Sequence, residues 1–211
     1  MTRETWHDRA VVFLPRHGAG HDLPPHRINY RANVTALRRA GCADVVGVSV
    51  TGGIREDLVP GSLVALSDFL DFTKAREHTF FDGTTAEGVV HTDVVGAYDA
   101  DLRAALVAAG RRAGREVHDG GVYACFEGPR FESPAEIRMA RTLGADVVGM
   151  TGVPEVTLAV EAGMRYAGLS LVVNPAAGLT DGPISMEAIE AVLAGGREDV
   201  LAVLEAFVVV R

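Results

Sequence analysis

A chain of 211 residues is long enough for one sizeable domain with a full hydrophobic core. With 48% hydrophobic and 23% charged residues it is globular rather than disordered. Its net charge of -8 argues against a surface for nucleic acid or anionic membrane, while leaving room for a local pocket that takes a small anion.

The two cysteines, Cys42 and Cys125, lie in or beside apolar runs without a CxxC spacing, which reads as buried free thiols in a reducing compartment. No apolar run approaches membrane-spanning length, and the polar stretch Met1–Ala10 has no signal-peptide core, so a cytoplasmic protein is expected.

In chain order, Ala10–Leu14 is a short apolar run with the character of a strand. It breaks at Pro15-Arg16-His17-Gly18, where glycines beside a cation could meet an anion, although an ordinary basic loop would look the same. Val34, Leu37 and Ala40 have helical spacing within Arg31–Ala40, and Gly41 is a stop. Asp44–Val50 reads as a buried strand running into Ser49-Val50-Thr51-Gly52-Gly53, a set of hydroxyls and glycines that suits a small anion, a sugar or any tight turn. Leu63–Leu66 is a further strand. Asp68–Thr92 reads as a long irregular segment, of the kind that is usually functional or interface-forming. Tyr98–Ala109 is amphipathic and helical.

The segment from Cys125 to Glu155 is the most informative. Two apolar runs, Gly121–Phe126 and Asp146–Met150, have the length and β-branched content of buried strands. Between them, Ser133, Pro134 and Glu136 spell a helix start: an N-cap, a proline at the first helical position and a capping-box glutamate. Phe131 and Glu132 therefore sit between a strand and a helix, and Met150 and Thr151 at the end of the next strand. Ligands of α/β sheets bind at such strand ends.

A helix from about Pro154 to Ala162 follows, then a strand over Arg165–Val173 ending in Asn174-Pro175-Ala176-Ala177-Gly178. The chain closes with a helix over Ser185–Val209, N-capped by Ser185 and open to weakening at Gly195-Gly196. This alternation predicts an α/β fold with a mixed sheet and no internal repeat or linker.

Taken singly, Phe131 reads equally as core, Met150 as a gap-filler, Glu132 and Glu155 as helix N-terminal acids, and Asn174 as the start of a turn. The other histidines, His7, His21, His26, His78 and His118, have no metal-ligand spacing, and no metal is expected.

Nearly the whole chain resembles the trimeric purine nucleoside phosphorylase and 5'-methylthioadenosine phosphorylase family. The resemblance is carried by Arg16-His17-Gly18, by Gly128-Pro129-Arg130-Phe131-Glu132, and by Gly144-Ala145-Asp146-Val147-Val148-Gly149-Met150-Thr151 with Val153-Pro154-Glu155. It implies one nucleoside phosphorylase-like domain over residues 1–211, with a partly barrel-like mixed sheet flanked by helices. The activity it implies is reversible phosphorolysis of purine nucleosides in a homotrimer. Inorganic phosphate is the co-substrate, no cofactor is needed, and the role is purine salvage.

By the same resemblance, Arg16, His17, Ser49, Val50 and Thr151 would bind phosphate. Phe131 would form the wall under the purine and Met150 would pack on the ribose. Asn174 would contact the purine N7 and six-position. His91 would reach a neighbour's ribose 5' region. Glu after the Phe, together with Asn174, resembles the 6-oxopurine enzymes. The 6-aminopurine members carry Ser and Asp there.

Chemistry gives the same direction. An ionised Glu132 accepts from N1–H of hypoxanthine or guanine but faces a lone pair on adenine, a mismatch that can discriminate by about 10⁴-fold. Ile184 and Met186 lie near the expected 5' region, so 5'-methylthioinosine joins inosine and guanosine as an expected substrate. The alternatives are a methylthioadenosine phosphorylase, a nucleoside hydrolase and a non-catalytic nucleoside-binding subunit. Family members usually place a strand and a Gly-rich loop bearing a phosphate-binding Ser or Thr before the Arg-His-Gly turn. Here Met1–Pro15 precede Arg16, and that loop is not expected among them.

Overall fold

The computed structural model describes residues 1–210. In chain order the elements are β1 (Thr2–Trp6), β2 (Arg9–Phe13), α1 (Tyr30–Arg39), β3 (Asp44–Gly53), β4 (Leu63–Ala65), β5 (Asp68–Phe72), α2 (Ala100–Arg112), β6 (Val117–Asp119), β7 (Val122–Phe126), α3 (Pro134–Thr142), β8 (Val147–Gly149), α4 (Glu155–Glu161), β9 (Arg165–Pro175) and α5 (Met186–Val209). A turn of 3-10 helix, Pro25–Arg27, precedes α1.

Seven strands form one mixed sheet in the order β5-β7-β8-β3-β9-β4-β6. Its spine is the parallel pair β3 and β9, which runs from Asp44 opposite Arg165 to Gly53 opposite Pro175. β9 is buried on both faces: Tyr166 and Val172 point into the cluster shared with α1 and α4, while Ala167, Leu169, Leu171 and Val173 point into the cluster under α2 and α5. That two-sided burial explains why β9 reads as an unbroken apolar run instead of an alternating one. A third cluster joins Ile137 and Ala140 of α3 to Ala124, Phe126 and Val148 at the strand ends.

The sheet is open. β5 and β6 are its ends and do not pair with each other, so the expected barrel-like closure is corrected to an open mixed sheet. Closure requires the end strands to meet with matched tilt and stagger. Here β6 is only three residues long and packs against α2.

Three elements differ from expectation. Asp68–Phe72, expected to be irregular, is the parallel edge strand β5; its two aspartates interrupt the apolar pattern because an edge tolerates charge. β6 carries a single buried apolar residue, Val117, too little for a periodic signal. The polar N-terminus forms β1, which pairs with β2 in a hairpin turning at His7 (φ 48°) and Asp8 (φ 64°). Two successive left-handed residues match the twist of a two-residue hairpin.

The helix caps follow the sequence. Ser133 caps α3 with the full reciprocal capping box, and Ser185 caps α5. α5 continues through Gly195 and Gly196 without a break. A Cβ on Gly196 would lie 2.5 Å from Leu171 Cδ2, so this glycine is there for close packing on β9.

One feature of the sheet shapes the site. The edge of β3 away from β9 pairs with β8 only at Gly52 and Gly53. From Val45 to Thr51, no described strand pairs with that edge, and it opens into a cavity.

Candidate active site

The cavity has a volume of about 940 Å³ and runs along β3 from Asp44 to Gly52, past the carboxyl ends of β8 and β9. Its walls include Arg16, His17, Ser49, Val50, Phe131, Glu132, Met150, Thr151 and Asn174, nine residues singled out from the sequence. Five separate segments bring them together. Among the described residues, neither His91 nor any other residue of 82–96 lines it.

Arg16 is one of the lining residues. Its Nη1 donates to the carbonyl of Val48 at 2.8 Å and to Thr151 Oγ1 at 3.2 Å, and its Nη2 donates to Glu155 Oε1 at 2.7 Å. These bonds use three of the five guanidinium N–H groups and leave two for a ligand. Burial disfavours the charge on Arg16, but Glu155, with Tyr166, Tyr30 and Tyr123 adding to it, outweighs that cost and holds the guanidinium firmly protonated. Tyr166 donates to the same Glu155 oxygen at 2.7 Å. The phenol fits because Gly47 has no side chain; a Cβ there would lie 1.8 Å from the hydroxyl oxygen.

Thr151 is fixed from behind. Its backbone N–H and that of Gly152 donate to the buried Tyr123 hydroxyl at 3.0 and 3.3 Å. Gly149 and Gly152 leave room for that side chain, since a Cβ on Gly149 would lie 2.5 Å from the Tyr123 hydroxyl and one on Gly152 2.8 Å from the ring. Ser49 and Thr51 share the hydroxyl of Ser170, at 3.2 and 2.8 Å, in a buried network beside the cavity.

His17, expected by resemblance to bind phosphate, is oriented by one backbone contact. Its Nδ1 lies 2.8 Å from the Leu23 carbonyl, which can only accept, so the neutral ring carries its proton on Nδ1 and presents Nε2 as an acceptor. The ring stacks on His21 with centroids 4.4 Å apart. Burial, against the opposing effect of the Leu23 bond, lowers its pKa and favours this neutral form.

The same cavity is lined by Phe131, Glu132, Met150 and Asn174. Phe131 is 42% exposed, so it is a cavity wall and not core. Glu132 is 7% exposed, and its Oε1 is buried with no hydrogen-bond partner. Burial raises its pKa above the ordinary carboxylate value. The loop bearing both is braced by Arg130, which grips Glu136 through both carboxylate oxygens at 2.7 and 2.8 Å, while Glu136 accepts from the Ser133 N–H at 2.7 Å. Those bonds push the Glu136 pKa down to about 2, with the Arg130 bond the largest cause. Asn174 donates one amide hydrogen to the Pro175 carbonyl at 2.6 Å and keeps the second free. Ile184 and Met186 add an apolar wall to the same cavity.

Two residues of this site were not singled out for it in the sequence. Glu155 reads as a helix N-terminal acid, and it does open α4; its pairing with Arg16 depends on a contact across 139 positions. Tyr166 sits inside an apolar strand and looks like core until its hydroxyl is traced to Glu155.

The model of the phosphorylase superfamily matches residues 2–209. A probable 6-oxopurine nucleoside phosphorylase of Moorella thermoacetica is 50% identical over 183 residues, covering 87% of this chain and 70% of that protein. The 6-oxopurine nucleoside phosphorylase of Pyrococcus furiosus is 42% identical over 198 residues, covering 92% and 75%. Among solved structures, a methylthioadenosine phosphorylase from Schistosoma mansoni in complex with tubercidin superposes with a TM-score of 0.92 at 32% identity, covering 99% of this chain and 79% of that one. The chain thus spans about two thirds to four fifths of the length of such relatives. A match over almost every residue, joined to a cavity built from the segments that carry the motifs, makes this chain a member of the phosphorylase superfamily.

Proposed function

We propose that this chain catalyses the phosphorolysis of 6-oxopurine nucleosides to the free purine and ribose 1-phosphate. The observation that carries this reading is Glu132, whose buried carboxylate oxygen is unpaired in the same cavity as Asn174. A buried acceptor without a partner is costly, and a ligand donor such as purine N1–H would satisfy it. The names of the relatives at 42–50% identity support the same base class.

In this mechanism phosphate binds at Arg16 and Thr151, on the two guanidinium N–H groups that internal bonds leave over. Its charge stabilises the cation that develops on the sugar as the glycosidic bond lengthens, and its oxygen then captures C1'. His17 Nε2 accepts the proton of a phosphate hydroxyl. The departing purine gains electrons at its imidazole ring, where the free amide hydrogen of Asn174 meets N7 without titrating. Phe131 covers the base and Met150 packs on the ribose. No cofactor enters the chemistry.

The apolar wall of Ile184 and Met186 favours a 5'-methylthio substituent, so 5'-methylthioinosine stands beside inosine as substrate. A probable S-methyl-5'-thioinosine phosphorylase of Methanothermobacter thermautotrophicus, 43% identical, supports that choice. The working protein is a cytoplasmic homotrimer in purine salvage, with His91 reaching a neighbour's site. Its two free cysteines fit that compartment. A phosphate-dependence assay with inosine, 5'-methylthioinosine and 5'-methylthioadenosine tests the whole reading. Base release should require phosphate and favour the oxo-substrates. Release without phosphate would point to a hydrolase, binding without release to a non-catalytic subunit, and preference for methylthioadenosine to the 6-amino class.

A further inference from the structure

Arg76 does not line the cavity, yet its guanidinium holds together the segments that build it. Nη2 contacts the carbonyls of Phe126, Glu127 and Met150 at 3.2, 2.8 and 2.8 Å. Nη1 donates to the Val153 carbonyl, and to the Tyr30 hydroxyl at 3.0 Å. Tyr30 in turn donates to the Pro25 carbonyl at 3.0 Å. The side chain is only 1% exposed, and its counter-charge is Glu127, with Oε2 3.7 Å from Nε. The oxygens it grips belong to three places: the end of β7 just before the Phe131–Glu132 loop, the turn holding Met150 and Thr151, and the segment that follows the Arg16–His17 turn.

We propose that Arg76 is a positioning residue that sets the spacing between the Met150–Thr151 turn and the loop carrying Phe131 and Glu132. A guanidinium presents five donors in a fixed plane and can bridge carbonyls of several segments at once, whereas an ammonium concentrates three donors at one point. Arg76→Lys therefore leaves some of these carbonyls unpaired and lets the two turns drift. A misplacement of about 1 Å can cost about 10²-fold in rate.

The kinetic side of this proposal rests on the phosphorolysis reading; the structural side does not. The test compares wild type, Arg76→Lys, Tyr30→Phe and Leu106→Val, the last a destabilised control in the core under α2. Three measurements are made: thermal melting, the ¹³C-methyl resonance of Met150 (assigned with Met150→Leu), and kcat with KM for inosine and phosphate well below every melting point. Arg76→Lys should displace the Met150 resonance and lower kcat roughly 30- to 100-fold. Tyr30→Phe should displace it in the same direction with a several-fold loss. Leu106→Val should lower the melting point and leave both readouts alone. An unmoved Met150 resonance in Arg76→Lys and Tyr30→Phe overturns the proposal, as does an equal kcat loss in Leu106→Val. If wild type shows no phosphorolysis, that reading fails by itself and the Met150 resonance decides the role of Arg76. If Arg76→Lys does not fold, Tyr30→Phe decides it.

Discussion

The Arg16 guanidinium and the Glu155 carboxylate meet at 2.7 Å in the cavity wall, one from the turn after β2 and the other from the first residue of α4. Both side chains are largely buried, at 14% and 8% exposure, so the two opposite charges compensate each other inside the wall. Removing one partner of such a pair leaves an uncompensated buried charge.

Glu155→Gln should accordingly destabilise the protein by on the order of 3 kcal/mol in phosphate-free buffer. Phosphate should then recover part of the loss, because an anion on Arg16 replaces the missing carboxylate and stabilises the folded state by mass action. Thermal melts across a phosphate titration check this: the variant should gain more from phosphate than wild type does. An equal gain would mean that phosphate does not sit on Arg16.

Asn174→Asp should move base preference toward 6-amino purines. The aspartate adds an acceptor that suits an exocyclic amine, and it removes the amide donor that suits a six-position oxygen and N7. The ratio of kcat/KM for inosine over adenosine measures the change and should fall by at least about tenfold, the effect of one mispaired group at about 1.4 kcal/mol. An unchanged ratio would remove Asn174 from the recognition of the base.

Glu132 links binding to pH. Its carboxyl pKa is raised by burial, and only the ionised form accepts from N1–H. KM for inosine should therefore begin to rise, as the pH falls, nearer neutrality than an ordinary glutamate would allow. The stability effect has the opposite sense. A raised carboxyl pKa gives stability that is present below the unfolded value and is lost as the pH rises through the folded value. Glu132→Gln should thus melt higher than wild type at neutral pH, converge with it in acid, and lose its preference for 6-oxopurines. Parallel melting curves at every pH would show that the carboxylate is not strained in the free protein.

The brace under Phe131 can be tested away from the chemistry. Ser133→Ala removes the cap of α3 and should cost about 1 kcal/mol. Because the same loop carries Phe131 and Glu132, KM for the nucleoside should rise while KM for phosphate stays near wild type. Denaturant unfolding and the two KM values provide the check.

The sequence by itself went far for this protein because its signals are local. Ser133, Pro134 and Glu136 specify a helix start from side-chain to backbone bonds within one turn, and that is how α3 begins. The apolar runs of β7 and β9 need no partner to be recognised, since burial on both faces demands near-continuous hydrophobicity. The strand-end placement of Phe131, Glu132, Met150, Thr151 and Asn174 was legible because they follow or close the apolar runs of β7, β8 and β9, where α/β sheets bind ligands; the roles expected of them came from the family resemblance. β1, β5 and β6 were not legible, because exposed or very short strands carry little hydrophobic pattern.

Only the tertiary structure decided how the charges are paired. Arg16 reads as a free cation until Glu155 is brought to it across 139 positions, and Tyr166 reads as core until its hydroxyl is seen on the same carboxylate. Arg76 lies in a stretch with no pattern at all, yet it ties together carbonyls from segments up to 77 positions away. A carbonyl's need for a donor leaves no trace in residue identity, because every residue has one. Which side chain satisfies it is fixed by packing in three dimensions.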